Sequence, residues 1–302
     1  MAQITTEDAV GVMEDPREAG ARPPFPAQEM VPVPGHEKQM SPPADHGEES
    51  YVGADRLKGM VALITGGDSG IGRAIALAYA REGASVVFTY LEEENDAEET
   101  VRMVKESGAK VSSIAMDQRD EKACQDLIKQ VVDEYGRLDI LVNNAAFQMS
   151  YDDLESIPTE EFDRAFRTNV YGTFFLTRAA LPHLPAGGSI INSASIQSFD
   201  ASGGLAPYAA TKAAIASFTL SFARLAAKKG VRVNAVAPGP VWTPLIPSTL
   251  PEEKVKNFGE NTILGRPAQP AELAPVYVFL ASKDASYVSG EIYGVTGGRM
   301  QI

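Results

Sequence analysis

The chain has 302 residues, 44% of them hydrophobic, enough for one large domain or two small ones around a substantial core. Its 40 acidic against 27 basic residues give a net charge of −13, which lacks the lysine and arginine footprint of a phosphate-backbone binder and argues against nucleic acid as a partner. A single cysteine, Cys124, excludes an intramolecular disulfide framework, and His36, His46 and His183 have no zinc-like spacing, so no metal is expected; with no basic-then-apolar leader and no run of about 18 apolar residues, a cytoplasmic protein without membrane contact is expected.

Residues 1–54 form an acidic extension in which prolines recur at Pro16, Pro23, Pro24, Pro26, Pro32, Pro34, Pro42 and Pro43 among few large aliphatics. Such a segment buries too little apolar surface to offset its ordering entropy, and a flexible or polyproline-like tail is expected. The alternative is that VPVPGHEKQMSPP lies as an extended arm across a neighbouring subunit, since proline lowers the entropy lost on docking. Residues 55–302 read as one domain, with no internal repeat and no break in composition.

In that domain short β-rich runs alternate with longer helical ones. Strands are read at VALIT (61–65), SVVFTY (85–90), KVSSIAM (110–116), LDILVN (138–143), GSIINS (188–193), VRVNAVA (231–237) and EIYGV (291–295). Between them lie helical stretches such as GRAIALAYAREG, AEETVRMVKESG, EKACQDLIKQVVDEYG and AAIASFTLSFARLAAKKG, each ending in a glycine that suits a helix stop. Apolar strands alternating with helices imply an α/β fold whose parallel sheet is covered on both faces, with its ligand at the carboxyl ends of the strands.

The first strand runs into TGGDSGIG (65–72) and then directly into an alanine-rich helix. Gly66, Gly70 and Gly72 permit a tight turn, close approach of backbone to a pyrophosphate and close packing of helix on sheet, while the helix amino end offers free N–H groups to an anion. A plain strand-to-helix turn is the alternative; the order strand, glycine turn, helix favours the dinucleotide. Farther on, PYAATK (207–212) places Tyr208 and Lys212 one helical turn apart, a pairing that taken alone is common in helices.

The spacing TGxxxGxG resembles the short-chain dehydrogenase/reductase family. NNAA (143–146) is similar to its NNAG segment, with Ala146 in place of the last glycine; Asn169 in RTNVYG matches its helix asparagine; Ser195 lies thirteen residues before Tyr208; Tyr208 and Lys212 match YxxxK; and PGPVWT (238–243) matches PGxVxT. The resemblance covers roughly residues 57–298, and within the family the chain looks most like general stress proteins and glucose/ribitol dehydrogenase-like proteins. It implies a single Rossmann-type, doubly wound parallel sheet, an NAD(P)(H)-dependent oxidoreductase interconverting a carbonyl (aldehyde, ketone or sugar) and an alcohol, and a homotetramer with helices around Asn169 and Tyr208 on a subunit face. The alternative is an inactive nucleotide-binding or stress-protective interaction protein on the same fold, against which the intact Ser195, Tyr208 and Lys212 count.

Hydride exchange at a carbonyl needs a proton for the developing alkoxide, and Tyr208 is the candidate acid/base. A lysine one turn away and an oxidised nicotinamide are both expected to lower the tyrosine pKa by favouring the phenolate, and Ser195 to orient the substrate oxygen. By the resemblance Lys212 also holds the nicotinamide ribose hydroxyls, and Asn169 holds a water that links Lys212 to solvent. Ser195 as a strand-end turn residue and Asn169 as a helix residue bonded to nearby main chain are the plainer alternatives.

For the cofactor, NAD or NADP, the resemblance implies contacts from Gly66, Asp68, Ser69, Gly70, Ile71 and Gly72, from Tyr90, from Asp117 and Gln118, from Asn143 and Ala145 lining the cleft, from Tyr208 and Lys212, and from Pro238, Gly239, Val241 and Thr243. Asp117 is read as the carboxylate at the adenine amino group, or else as a helix cap before RDEKAC. Tyr90 closes the second strand where an acid would mark NAD, Ser69 stands where NADP-using relatives often carry arginine, and Glu92, Glu93 and Glu94 would repel a 2′-phosphate, so the local charge leans to NAD. The segment after PGPVWT is expected to form a mobile lid. Phe147, Gln148, Gln197, Phe199 and Trp242 are expected to line a mouth with no carboxylate-selecting arginine, suited to a neutral aldehyde or sugar.

Overall fold

The computed structural model describes residues 15–28, 33 and 35–299; MAQITTEDAV, part of the VPVP run and the last three residues lie outside the described residues. The strands are β1 (Val61–Thr65), β2 (Ser85–Tyr90), β3 (Val111–Ala115), β4 (Ile140–Asn143), β5 (Ser189–Ser193), β6 (Arg232–Pro238) and β7 (Ile292–Val295). All pair in parallel in the order β3-β2-β1-β4-β5-β6-β7. The seven expected strands are all present, with ends that move by one or two residues.

Parallel strands need crossovers, and the helices that supply them cover both faces. Alternate residues of each strand therefore enter two different cores: Ala62, Ile64, Val86 and Phe88 one, Val61, Leu63 and Val87 the other. The first core lies under α1 (Gly70–Arg81), α2 (Glu94–Glu106) and α9 (Pro270–Ala281), and the second under α3 (Glu121–Tyr135), α5 (Gly172–Ala180) and α6 (Ala206–Ala226). The alanines of α1 leave room for α9 to pack against it, with the Tyr79 hydroxyl donating to Tyr277 O at 3.0 Å. Strand order reverses beside β1, which lies between β2 and β4, and this opens a crevice at the carboxyl ends of the strands.

Before α5 come α4 (Thr159–Phe166) and a π-helical turn, Arg167–Tyr171. After β6 come the short α7 (Leu245–Thr249) and α8 (Glu252–Lys256), in the segment where a lid is expected.

The described part of the extension departs from the expected flexible tail: it lies along its own domain as a strap. Phe25 is buried and stacks on Trp242 with centroids 4.0 Å apart, its N–H donates to Lys256 O at 2.8 Å, and Met40 is buried in the same cluster with Ile246, Leu250 and Val255. Farther along, buried Glu82 accepts from the Tyr51 hydroxyl at 2.6 Å and from Arg56. A few large anchors and buried charge pairs supply the docking energy that the average composition does not suggest.

Candidate functional site

The glycine turn sits where β1 meets α1. Gly66 and Gly70 have φ of +62° and +48°, a region that costs a side chain strain. A Cβ at Gly72 would lie 1.8 Å from Gly66 O, so only glycine lets the helix start this close to the strand end. Among the described residues no acceptor takes the amides of Ile71 and Gly72, which leaves the amino end of α1 open to an anion.

A cavity of about 330 Å³ opens over this turn. Its walls include Gly66, Asp68, Ser69, Gly70, Ile71, Tyr90, Asp117, Gln118 and Ala145 on one side, and Ser195, Tyr208, Lys212, Pro238, Gly239, Val241 and Thr243 on the other. The structure thus brings together all the expected site residues except Gly72, Asn143 and Asn169. Gly72 is buried behind the turn. Asn143 points into the sheet, its Nδ2 donating to Thr177 Oγ1 and Asn192 Oδ1, and its neighbour Asn144 takes the cleft position. Strand alternation gives the reason: adjacent residues at the end of β4 face opposite ways. Asn144 donates from Nδ2 to the carbonyls of Thr65 and Gly66, both at 3.1 Å, and so ties the loop after β4 to the glycine turn.

At the other end of the cleft, Ser195 follows β5, and Tyr208 and Lys212 stand on α6. Lys212 is buried, donates to Ser193 O at 2.6 Å, and lies 5.4 Å from the centre of the Tyr208 ring. The expected depression of the Tyr208 pKa is not found. Burial pushes the phenol up to about 12, with the Ser195 hydroxyl pulling the other way, and burial pushes the Lys212 ammonium down to about 7. Desolvation leads both shifts, and neither residue contributes to the shift of the other.

Asn169 lies in the π-helical turn, outside the cleft. Its Oδ1 accepts from Phe147 N at 2.7 Å, and its Nδ2 donates to Phe147 O and Thr211 Oγ1 at 2.9 and 3.0 Å. The side chain therefore clamps the loop after β4 to α6, with both Nδ2 hydrogens engaged and one lone pair left on Oδ1.

Asp117 lines the cavity in a forked pair with Arg119, Nε to Oδ2 at 2.8 Å. Burial opposes its ionisation, but Arg119 holds the carboxyl below its ordinary value. The cap of α3 is Asp120, which accepts from the amides of Lys122 and Ala123, so the capping alternative for Asp117 is excluded. Gln118 is held by the carbonyls of Ala145 and Thr168. Of the acidic run, Glu93 alone is buried and lines the cavity; Glu92 and Glu94 are exposed. Burial pushes Asp68 up to about 7, and Glu93 adds to the shift.

Phe147, Gln148 and Gln197 line the mouth as expected, but Phe199 is 48% exposed and outside it. Trp242 is fully buried under the strap, where Nε1 donates to Pro42 O at 2.8 Å. Arg164 and Arg299 also line the cavity, which the sequence reading missed; Arg164 stacks on the Phe147 ring at 4.1 Å, and Arg299 reaches Asp200 at 3.2 Å. Arg164 lies three residues before RTNVYG and Arg299 near the carboxyl end, and no local signal marks either as a cleft residue.

Residues 66–299 match the family described as enoyl-(acyl carrier protein) reductase. General stress protein 39 of Bacillus subtilis (strain 168) is 49% identical over 274 residues, 91% of this chain and 96% of that one. Glucose and ribitol dehydrogenase of Daucus carota is 46% identical over 280 residues, again 91% and 96%. Among solved structures, a short-chain dehydrogenase from Burkholderia cenocepacia J2315 in complex with NADP superposes with a TM-score of 0.76 at 30% identity, covering 80% of this chain and 98% of that one. These likenesses do not support the lean to NAD. The parallel sheet, the glycine turn at its crevice and these relatives together place the chain in the short-chain dehydrogenase/reductase family, as an NAD(P)-dependent oxidoreductase.

Proposed function

We propose that the protein interconverts a carbonyl and an alcohol, with Tyr208 as the proton carrier. The observation that carries this reading is the meeting of Ser195, Tyr208 and Lys212 in the one cleft that also holds the glycine turn. The residues fit a dinucleotide: Ile71, which lines the cleft, offers its amide at a helix amino end, and the glycines leave space that side chains would fill. When bound, the nicotinamide supplies or accepts the hydride.

The chain's own groups handle the oxygen and the proton. A Tyr208 phenol held near 12 is protonated at neutral pH, ready to donate to an alkoxide forming on the substrate. Ser195 offers a second donor to the same oxygen, which gains most as charge develops. Lys212, fixed through Ser193 O, keeps further donors for the cleft, where it serves ribose hydroxyls and the recharging of Tyr208. Asp117, Gln118 and Ala145 line the adenosine end, with Asp68, Ser69, Tyr90 and Glu93 around the ribose. Gln148, Gln197 and the apolar Phe147, Leu245 and Leu250 suit a small or medium aldehyde, ketone or sugar. Exposed Phe162, Tyr171, Leu220 and Leu225 on α4 through α6 support a homotetramer built on that face.

Tyr208→Phe tests the assignment: turnover falls at least a thousandfold while dinucleotide binding persists. Wild-type-like turnover in that variant sinks it. A panel of aldehydes, ketones, sugars and polyols, followed by NADH and NADPH absorbance, names the substrate class and the cofactor.

A further inference from the structure

The strap meets the nucleotide site at Val33, which lines the cleft, and at the glycine turn. The Gly70 N–H, at the left-handed residue that opens α1, donates to Glu37 Oε2 at 2.8 Å. Gly70 lines the cleft and Glu37 does not, so the carboxylate reaches the turn from behind. Glu37 is only 7% exposed, which is a costly place for a charge without strong partners. They are present: His46 Nε2 lies 3.2 Å from Oε1, the Glu37 N–H donates to Asp96 Oδ2 at 3.1 Å, and Asp96 lies 3.9 Å from Arg73. Arg73 in turn donates to Asp68 O, the residue two before Gly70, at 2.6 Å.

The same segment is wedged against the lid. A Cβ at Gly35 would lie 2.7 Å from Pro244 O, and a Cβ at Gly70 would lie 3.1 Å from Thr243 Cγ2. Turn, strap and lid base are thus in mutual contact, so the left-handed backbone at Gly70 has support on both sides.

We propose that Glu37 is a positioning residue for the dinucleotide, bracing the glycine turn through the Gly70 N–H so that the neighbouring Ile71 amide is already aimed at the pyrophosphate. This rests on reading the cleft as a dinucleotide site. Pre-organisation lowers the ordering cost of binding, so the effect belongs to dinucleotide affinity more than to turnover at saturation. A bond to the N–H is needed, and the full charge is not: a glutamine keeps an acceptor there, an alanine keeps none.

The experiment titrates NADH and NADPH fluorescence on the full chain with wild type, Glu37→Ala and Glu37→Gln, beside melting temperatures and kcat. Loss of a charge-assisted hydrogen bond predicts a dissociation constant about tenfold higher in Glu37→Ala. Glu37→Gln stays within about threefold of wild type, although both variants lose the His46 pair and melt earlier. An unchanged dissociation constant in Glu37→Ala overturns the proposal, as does equal weakening in both variants. If Glu37→Ala does not fold, hydrogen exchange of the Gly70 amide in wild type without dinucleotide decides: strong protection supports the brace, and exchange at the solvent rate overturns it. Wild type that binds neither NADH nor NADPH fails the dinucleotide reading itself, a result distinct from either.

Discussion

Removing the Phe25 ring tests whether strap and lid move as one unit. Phe25 is 3% exposed, stacks on Trp242 at an interplanar angle of 12°, and shares its cluster with Met40, Ile246, Leu250 and Val255. Truncating a buried phenylalanine to alanine costs about 3–5 kcal/mol. Because this cluster joins the strap to residues 242–258 and Leu205 and includes no strand residue, the loss falls on docking of the strap and not on the sheet. A loss of 3 kcal/mol shifts the docked-to-undocked ratio by roughly a hundredfold. Hydrogen exchange followed by mass spectrometry should show residues 15–50 and 242–258 losing protection together, while β1, β4 and β5 keep theirs. On the proposed reaction, the KM for the carbonyl substrate should rise several-fold with smaller change in kcat, since a looser segment over the cleft binds substrate less well. Protection lost in the strap with the lid unchanged, or a uniform loss across the sheet, would refute the reasoning.

Two further expectations concern charge. Asp68, pushed up to about 7 by burial and by Glu93, is mostly ionised at pH 8 and mostly protonated at pH 6. Asp68→Asn should therefore raise the NADPH-over-NADH ratio of kcat/KM roughly fivefold at pH 8 and less than twofold at pH 6; a pH-independent or absent change contradicts this. The strap should also dock best between mildly acidic and neutral pH. Burial opposes charging of His46, but Glu37 and Glu48 outweigh it and raise its pKa, so its contribution is complete below the ordinary value of 6.5 and is lost as pH rises through the raised value. Glu48, carried against burial down to about 2 by His46, contributes above its ordinary 4.5 and loses that contribution as pH falls toward 2. Limited proteolysis within residues 15–54 should be faster at pH 9 than at pH 6.5, and His46→Gln should flatten the difference; equal rates in wild type would count against the clasp.

What could be read from the sequence was what local pattern determines. The alternation of VALIT and SVVFTY with helices gave the sheet because a strand buried on both faces must be apolar throughout, and the glycines of TGGDSGIG gave the crevice because no other residue allows such a turn. The choice between Asn143 and Asn144 turns on which way the last residue of β4 points, and one position of slip reverses it. Trp242 looked like a mouth residue because it follows PGPV, yet Phe25 and Pro42, 217 and 200 positions away, cover it. The strap itself was hidden because composition averages over its length, whereas docking rests on a few side chains.

The charge state of Tyr208 and Lys212, the pair proposed to be catalytic, was hidden for a related reason. The four-residue spacing of Tyr208 and Lys212 is visible in PYAATK, but a pKa is set by how much water each group loses, and that depends on the whole fold. Burial acts on both in the direction of neutrality, raising an acid to about 12 and lowering a base to about 7. In the free cleft the tyrosine is thus a proton donor and the lysine a group that gains or loses its proton near neutral pH. That arrangement suits carbonyl reduction, where the phenol must arrive protonated; alcohol oxidation needs the phenolate, which burial disfavours. The rate of alcohol oxidation should accordingly climb with pH above 8 while reduction stays level or falls. Oxidation that is flat from pH 7 to 10, with chemistry rate-limiting, would show that another group carries the proton.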